Sequence, residues 1–210
     1  MEMKLNELLA AVSVKSVVGP APEAVDIADV INDSRKAAPG VLFVAVRGVA
    51  VDSHKFIPDV VAAGAAAVVC EQLPADTDPS VAYVVVPDST IALAHLASQW
   101  YGRPSEHLQL VGVTGTDGKT TTATLLYEMA RLMGYKAGLL STVKNVVDTT
   151  EYPAKQTTPD HLSLNRLLRQ MVDAGCQYAF MEVSSHACVQ RRIDGLRFKG
   201  AIFTNLTRDH

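Results

Sequence analysis

Between residues 113 and 122 the chain reads VTGTDGKTTT. Two glycines, Gly115 and Gly118, precede a single lysine, Lys119, and three hydroxyls, Thr120, Thr121 and Thr122, follow it, with Thr124 close behind. Residue types in this order suit the holding of a polyphosphate. The glycines let the backbone curl close to phosphate oxygens, the Lys119 ammonium can reach the terminal phosphates, and the Thr120 hydroxyl can ligate magnesium. The preceding LQLVGV is apolar and predicts a buried strand, whereas TATLLYEMARLMG has helical spacing and ends on a glycine. The turn thus opens a helix, where unpaired N–H groups and the helix dipole favour an anion. ATP is the expected ligand. The usual phosphate-loop pattern places a further glycine five residues before Gly118, and Val113 stands there instead, although the GKT core is intact.

Other chemistry-bearing residues fall at the ends of apolar runs. Glu182 closes AFM, the place from which a carboxylate can hold magnesium beside a phosphate loop; a solvated acid at a strand terminus is the alternative. Ser184, Ser185 and His186 follow it, and NLTRDH, ending in His210, follows the next apolar run. Thr157 and Thr158 precede a proline at a helix start with Asp160 near the cap, so either a capping hydroxyl or a substrate contact is open there. Arg191, Arg192, Arg197 and Lys199 form either a solvated face or a cationic partner for an anionic substrate. Asn32 to Arg35, and the glycine loop RGVAVDSHKF further on, carry polar residues whose spacing identifies no ligand.

These residues need a scaffold at whose edge they meet. The chain has 210 residues, enough for one large or two ordinary domains, with 48% hydrophobic and 20% charged residues. We expect an α/β fold: a small N-terminal α/β domain over 1–102, then a mostly parallel-sheet, phosphate-loop domain over 103–210 that is truncated, the boundary falling at WYGRPSEH. In the first, strands are expected at 41–46, 65–70 and 82–87, with helices near 55–64 and 90–102. In the second, strands at 108–113, 136–142, 178–183 and 200–205 alternate with helices near 120–133 and 160–174. Such a domain ending on a polar strand-end loop leads us to expect that the natural polypeptide continues past His210.

The net charge of −3 gives no basic footprint for nucleic acid, and no apolar run approaches the ~20 residues of a membrane span. The N-terminal MEMKLNELLAAV does not read as a signal peptide, so a cytoplasmic location is expected. Cys70, Cys176 and Cys188 form no C-x-x-C pair and no zinc pattern with the six histidines, and read as reduced thiols.

Taken together, TGTDGKTTT, TTPD, MEVSSHA with VQRR, and FTNLTRDH, preceded by DSRKAAPGVLFVAVRG, resemble the Mur ligases, most closely the MurE type that acts on UDP-N-acetylmuramoyl-L-alanyl-D-glutamate in peptidoglycan synthesis. The resemblance runs from about residue 30 to residue 210. It implies a three-domain, monomeric, ATP- and magnesium-dependent ligase, of which this chain covers the first domain and the front of the second. In that reading Asn32, Ser34 and the loop Val49, Ala50 and Val51 meet the UDP-muramoyl end, and Gly115, Thr116, Asp117, Gly118, Lys119, Thr120 and Thr121 bind ATP. Thr157, Thr158, Ser184, Gln190 and Arg192 hold the muramoyl dipeptide; Thr120, Glu182 and His210 serve magnesium; and Lys119, Glu182 and His210 carry the catalysis. The implied reaction phosphorylates the D-glutamate carboxylate, and the amine of a third amino acid, diaminopimelate or lysine, attacks the acyl phosphate to give an amide, ADP and phosphate. Asp117 departs from the family's usual asparagine, and the family's carbamylated lysine and amino-acid recognition motif are not in this sequence. A related ATP-dependent amide ligase, of the MurF or folylpolyglutamate synthetase type, and a non-catalytic UDP-sugar or nucleotide-binding module are the alternatives.

Overall fold

The computed structural model describes residues 2–48 and 51–207. The chain forms two compact units, Met1–Trp100 and Tyr101–His210.

The first unit runs β1 (Met3–Lys4), α1 (Leu5–Leu9), β2 (Ser16–Val18), β3 (Asp26–Ile27), β4 (Asp29–Ile31), β5 (Val41–Val44), α2 (Ile57–Ala62), β6 (Ala67–Cys70), β7 (Ala82–Val85) and α3 (Ser89–Trp100). Its main sheet has the order β2-β7-β6-β5-β4, parallel throughout except where β2 joins β7 antiparallel; β1 and β3 form a separate antiparallel pair. The strands VLFV and AVVC are buried at every residue, because both faces are covered and no polar alternation is needed. Phe43, Val68 and Tyr83 pack with Ile57 and Val60 of α2 on one face. The helix expected near 90–102 starts at Ser89: the Asp88 carboxylate accepts the Thr90 and Ile91 N–H groups at 2.9 Å each, which caps α3.

The second unit runs β8 (Gln109–Thr114), α4 (Lys119–Leu132), β9 (Ala137–Leu140), β10 (Lys144–Val147), β11 (Thr150–Pro153), α5 (His161–Asp173), β12 (Tyr178–Glu182), α6 (Ser185–Val189) and β13 (Gly200–Phe203). The sheet order is β11-β10-β9-β12-β8-β13. The four central and edge strands β9, β12, β8 and β13 are parallel, as expected, and the β10–β11 hairpin adds an antiparallel flank that the sequence reading did not contain. Alternation along β12 serves both faces: Phe180 packs with Ala123, Tyr127 and Ala130 of α4, whereas Ala179 and Met181 pack with Leu164, Leu168 and Met171 of α5. From β8 the chain moves outward to β9, returns to insert β12, and then places β13 on the far side of β8. The strand order therefore reverses at β8, and the carboxyl end of a strand at such a switch point is where α/β sheets gather ligands.

Candidate active site

The turn after β8 occupies that position. Gly118 caps α4 in the left-handed region at φ 80°, and the first intrahelical bond is Thr122 N–H to the Gly118 carbonyl at 2.9 Å. Helix geometry leaves the N–H groups of Lys119, Thr120 and Thr121 without an intrahelical acceptor. The Lys119 ammonium folds back over the loop, donating to the carbonyls of Gly115 at 2.8 Å and Thr116 at 2.7 Å. A cation and free backbone donors at a helix start make an anion site.

The loop's shape is imposed from the far side of the sheet. Just past β13, the Asn205 carbonyl accepts Thr116 N–H at 3.1 Å and its Oδ1 accepts Asp117 N–H at 2.9 Å. The Thr204 hydroxyl donates to the Asp117 carbonyl at 2.6 Å, and the Thr116 hydroxyl exchanges bonds with the Thr207 backbone at 3.1 and 3.0 Å. Gly115, at φ 131°, is pressed against this clasp: a Cβ there would lie 2.2 Å from Thr204 Oγ1 and 2.9 Å from the Asn205 carbonyl oxygen. The glycine the loop requires is therefore Gly115. Val113, at the position where the usual pattern has glycine, is a fully buried core residue of β8. Asp117 is exposed, and what it gives the loop is its backbone N–H and carbonyl.

Across the cleft, Glu182 ends β12 with 1% of its surface exposed. Among the described residues its carboxylate oxygens are met by Thr142 alone, through the backbone N–H at 2.8 Å and the hydroxyl at 3.2 Å. Each carboxylate oxygen has more than one acceptor direction, so lone pairs remain for a cation, and a buried carboxylate calls for one. The described residues contain no group of three His, Cys, Asp or Glu side chains able to hold a metal. The donor set that is present, the Glu182 carboxylate and the Thr120 hydroxyl, is all oxygen and fits magnesium, which is commonly held by one or two carboxylates together with phosphate oxygens.

Gly115, Thr116, Asp117, Gly118, Lys119 and Thr120 line one cleft of about 420 Å³ with Thr142, Thr157, Glu182, Ser184, Ser185 and His186. Thr142 is a site residue that the sequence marks only as the end of the strand expected over 136–142. Thr121 is exposed on the first turn of α4 and does not line the cleft. Neither threonine of the TTPD stretch caps α5, because the Asp160 carboxylate does so by accepting Ser163 N–H at 3.0 Å. Thr157 reaches the cleft, its hydroxyl 3.1 Å from that of Thr142. Thr158 is 1% exposed and does not line the cleft. Its hydroxyl donates to the Glu182 carbonyl at 2.8 Å and accepts Ser184 N–H at 3.2 Å.

Gln190 and Arg192 stand outside the cleft lining, on a shared strut. Arg192 donates to Gln190 Oε1 through Nε at 2.9 Å and to the Thr158 carbonyl and Gln156 Oε1 through Nη1 at 2.6 and 2.7 Å. His161 is buried, with Nε2 3.1 Å from the Arg191 carbonyl, and desolvation holds its pKa below the ordinary histidine value.

In the first unit, Asn32 and Ser34 follow β4 and are partly exposed. Between them Asp33 takes both a backbone and a bidentate bond from Arg35, and that hydrogen bonding holds its carboxyl at about 2. Val51 is 44% exposed. Next to it, Arg47 lies between two acids, 3.6 Å from Asp52 and 3.4 Å from Glu71, and His54 links the Asp52 carboxylate to the Glu71 backbone. His54 Nε2 accepts Glu71 N–H at 2.9 Å, which places the ring proton on Nδ1, 2.6 Å from Asp52. Val49, Ala50 and His210 lie outside the described residues.

A glycine-and-lysine turn of the phosphate-loop kind at the switch point of a doubly wound sheet, faced by a buried carboxylate, defines an α/β protein with an anion-holding strand end. Two family models match the chain: the Mur ligase family catalytic domain over residues 26–101 and the Mur ligase middle domain over residues 113–210. The chain belongs to the Mur ligase family, of which it carries these two segments. The UDP-N-acetylmuramoyl-L-alanyl-D-glutamate–2,6-diaminopimelate ligase of Parabacteroides distasonis is 54% identical over 208 residues, 99% of this chain and 42% of that protein. The ligase of the same name from Cytophaga hutchinsonii is 53% identical over 209 residues, 99% of this chain and 43% of that protein. The chain thus spans well under half the length of these curated relatives. A solved structure of a ligase with that name superposes with a TM-score of 0.78 at 24% identity, covering 100% of this chain and 42% of the other. The MurF ligase of Thermotoga maritima in complex with ADP gives 0.57 at 24% identity, covering 84% and 37%. Both show a shared fold. No helix among the described residues is long and apolar enough to cross a membrane.

Proposed function

We propose that this chain supplies the UDP-muramoyl-binding and ATP-binding parts of a ligase that joins diaminopimelate to UDP-N-acetylmuramoyl-L-alanyl-D-glutamate. The observation that carries the reading is a buried carboxylate, Glu182, met only by Thr142 among the described residues and sharing one cleft with an intact GKT loop. The names of the relatives supply the substrates and the third amino acid.

A carboxylate is a poor electrophile, so amide formation in water needs it activated, and two anions must first be brought together. Lys119 and the N–H groups at the start of α4 would hold the ATP phosphates, Lys119 giving up its bonds to the loop carbonyls to do so. Thr120 and Glu182, with His210 as the family resemblance implies, would hold magnesium, which would neutralise phosphate charge there. Thr157 and Ser184 stand on the opposite wall, where their hydroxyls can orient the carboxylate to be phosphorylated. Thr158, Gln190 and Arg192 act one layer behind, fixing the backbone that presents them. Asn32, Ser34 and the loop at Val49, Ala50 and Val51 would take the UDP end.

Calorimetric titration tests this directly. The chain is expected to bind magnesium–ATP saturably, with Lys119→Ala weakening it about tenfold to a hundredfold, and to bind UDP-N-acetylmuramoyl-L-alanyl-D-glutamate whether or not Lys119 is replaced. A folded chain that binds neither ligand would overturn the proposal.

A further inference from the structure

A second pocket, of about 400 Å³, lies in the second unit between the β10–β11 hairpin and α5. It shares no lining residue with the phosphate-loop cleft, and none of the residues assigned above to ATP or to the muramoyl substrate lines it.

Its floor contains an unmet polar group. Asn145 is 5% exposed, and its Oδ1 has no hydrogen-bond partner among the described residues. Strand alternation fixes which way it points. Val146 packs with the α4 cluster and Val147 with the α5 cluster, so Asn145 shares the face of Val147 and is directed at α5, where the pocket opens. An orphaned buried acceptor costs about 1–3 kcal/mol unless something donates to it. The rim supplies the complement: Lys155 and Arg166 line the pocket, and among the described residues neither has an ion-pair partner. Asp160 is there too, its carboxylate committed to capping Ser163, so the lining charge is net positive by one. The Tyr152 ring gives a flat wall. The volume falls within the usual range for small-molecule sites.

We propose that this pocket binds a small hydroxylated oxyanion, a sugar phosphate or sugar acid, whose charged end meets Lys155 and Arg166 and whose hydroxyl donates to Asn145. The two cations select the charge, and the orphaned amide oxygen selects a donor on the same molecule. Gln156 lines the pocket while accepting from Arg192, so occupancy touches the strut beneath Thr157 and Thr158.

The test is an amide NMR titration of the 15N-labelled chain carrying Lys119→Ala, which removes competition from the phosphate loop. The probes are ribose 5-phosphate, gluconate and, as neutral control, ribose. Saturating shifts at the Asn145 side-chain amide and at Ser163 and Arg166 are expected with an anionic probe and not with ribose, and the tighter anion identifies the charged group. Replacing both exposed cations, Lys155→Gln with Arg166→Gln, should weaken binding at least about tenfold while the spectrum confirms a folded chain. The proposal is overturned by failure of both anions to saturate, by binding that survives the double replacement, by equal binding of ribose, or by shifts confined to the phosphate loop.

Discussion

Replacing Gly115 with alanine is the sharpest test of how the phosphate loop is built. At φ 131° an L residue sits in a region essentially reserved for glycine, at a cost of about 1–3 kcal/mol. The new Cβ would also stand 2.2 Å from Thr204 Oγ1. Moving that hydroxyl breaks its 2.6 Å bond to the Asp117 carbonyl, worth about 1 kcal/mol. Rotating Thr204 away does not suffice, since the Asn205 carbonyl oxygen and nitrogen would lie at 2.9 and 3.0 Å and are backbone atoms. Their displacement strains the bonds from Asn205 to Thr116 and Asp117. Adding strain to the lost bond gives about 2–4 kcal/mol, which for a unit of this size lowers the melting temperature by roughly 8 °C or more. If the loop instead opens locally, the loss appears as abolished ADP binding by an otherwise stable chain. The assay is therefore paired: thermal melting by circular dichroism, and calorimetry with magnesium–ADP. Thr204→Ala, combined with Gly115→Ala, should recover about 1 kcal/mol as a coupling energy, because only the side-chain part of the clash is relieved. A Gly115→Ala chain with unchanged melting and unchanged ADP affinity would refute the clasp.

Two further outcomes follow from contacts elsewhere in the chain. Thr158→Val keeps shape but leaves the Glu182 carbonyl and Ser184 N–H unpaired in a buried place, so urea unfolding should show a loss of about 1–3 kcal/mol, and an unchanged midpoint would contradict the supporting role. Asp33 has a folded-state pKa of about 2 against 3.8 for the free side chain, so its pair with Arg35 stabilises fully above that ordinary value and is lost as pH falls through about 2. The stability gap between wild type and Asp33→Asn should accordingly be constant at neutral pH and close on going from pH 3.8 to about 2; a gap independent of pH would exclude this linkage.

The parts of the site read most directly from sequence were those whose partners are close along the chain. Lys119 and Thr120 lie on a turn whose strand and helix are both adjacent, so the loop announced itself in ten residues. Glu182 was legible because an apolar run must end somewhere, and a carboxylate at that end faces whatever the neighbouring strand ends hold. Thr142, Thr204 and Asn205 were not, because their roles exist only once β9, β12, β8 and β13 lie side by side. The β10–β11 hairpin was missed for a local reason. Its two-residue connection, Asp148 and Thr149, has positive φ at Asp148 alone, a place usually marked by glycine. The conformation is imposed from outside: Tyr127 and Arg131 donate to the Asp148 carbonyl at 2.7 and 3.2 Å, and Arg131 also pairs with its carboxylate. Tertiary contacts thus do the work that an Asn-Gly signal does elsewhere, and they leave no mark in the local pattern.

The clasp on the phosphate loop also sets an order of events during synthesis. The residues that hold Thr116 and Asp117 in place, Thr204, Asn205 and Thr207, are made some ninety residues after the loop itself. Strand β8 and helix α4 can form early from local contacts, but until β13 docks on the free edge of β8 the loop has no template, and closure over so long a separation is slow. A nascent chain therefore carries a helix start with the right residues and the wrong shape. The anion-holding shape of the loop thus arrives with β13 rather than with the motif that encodes it.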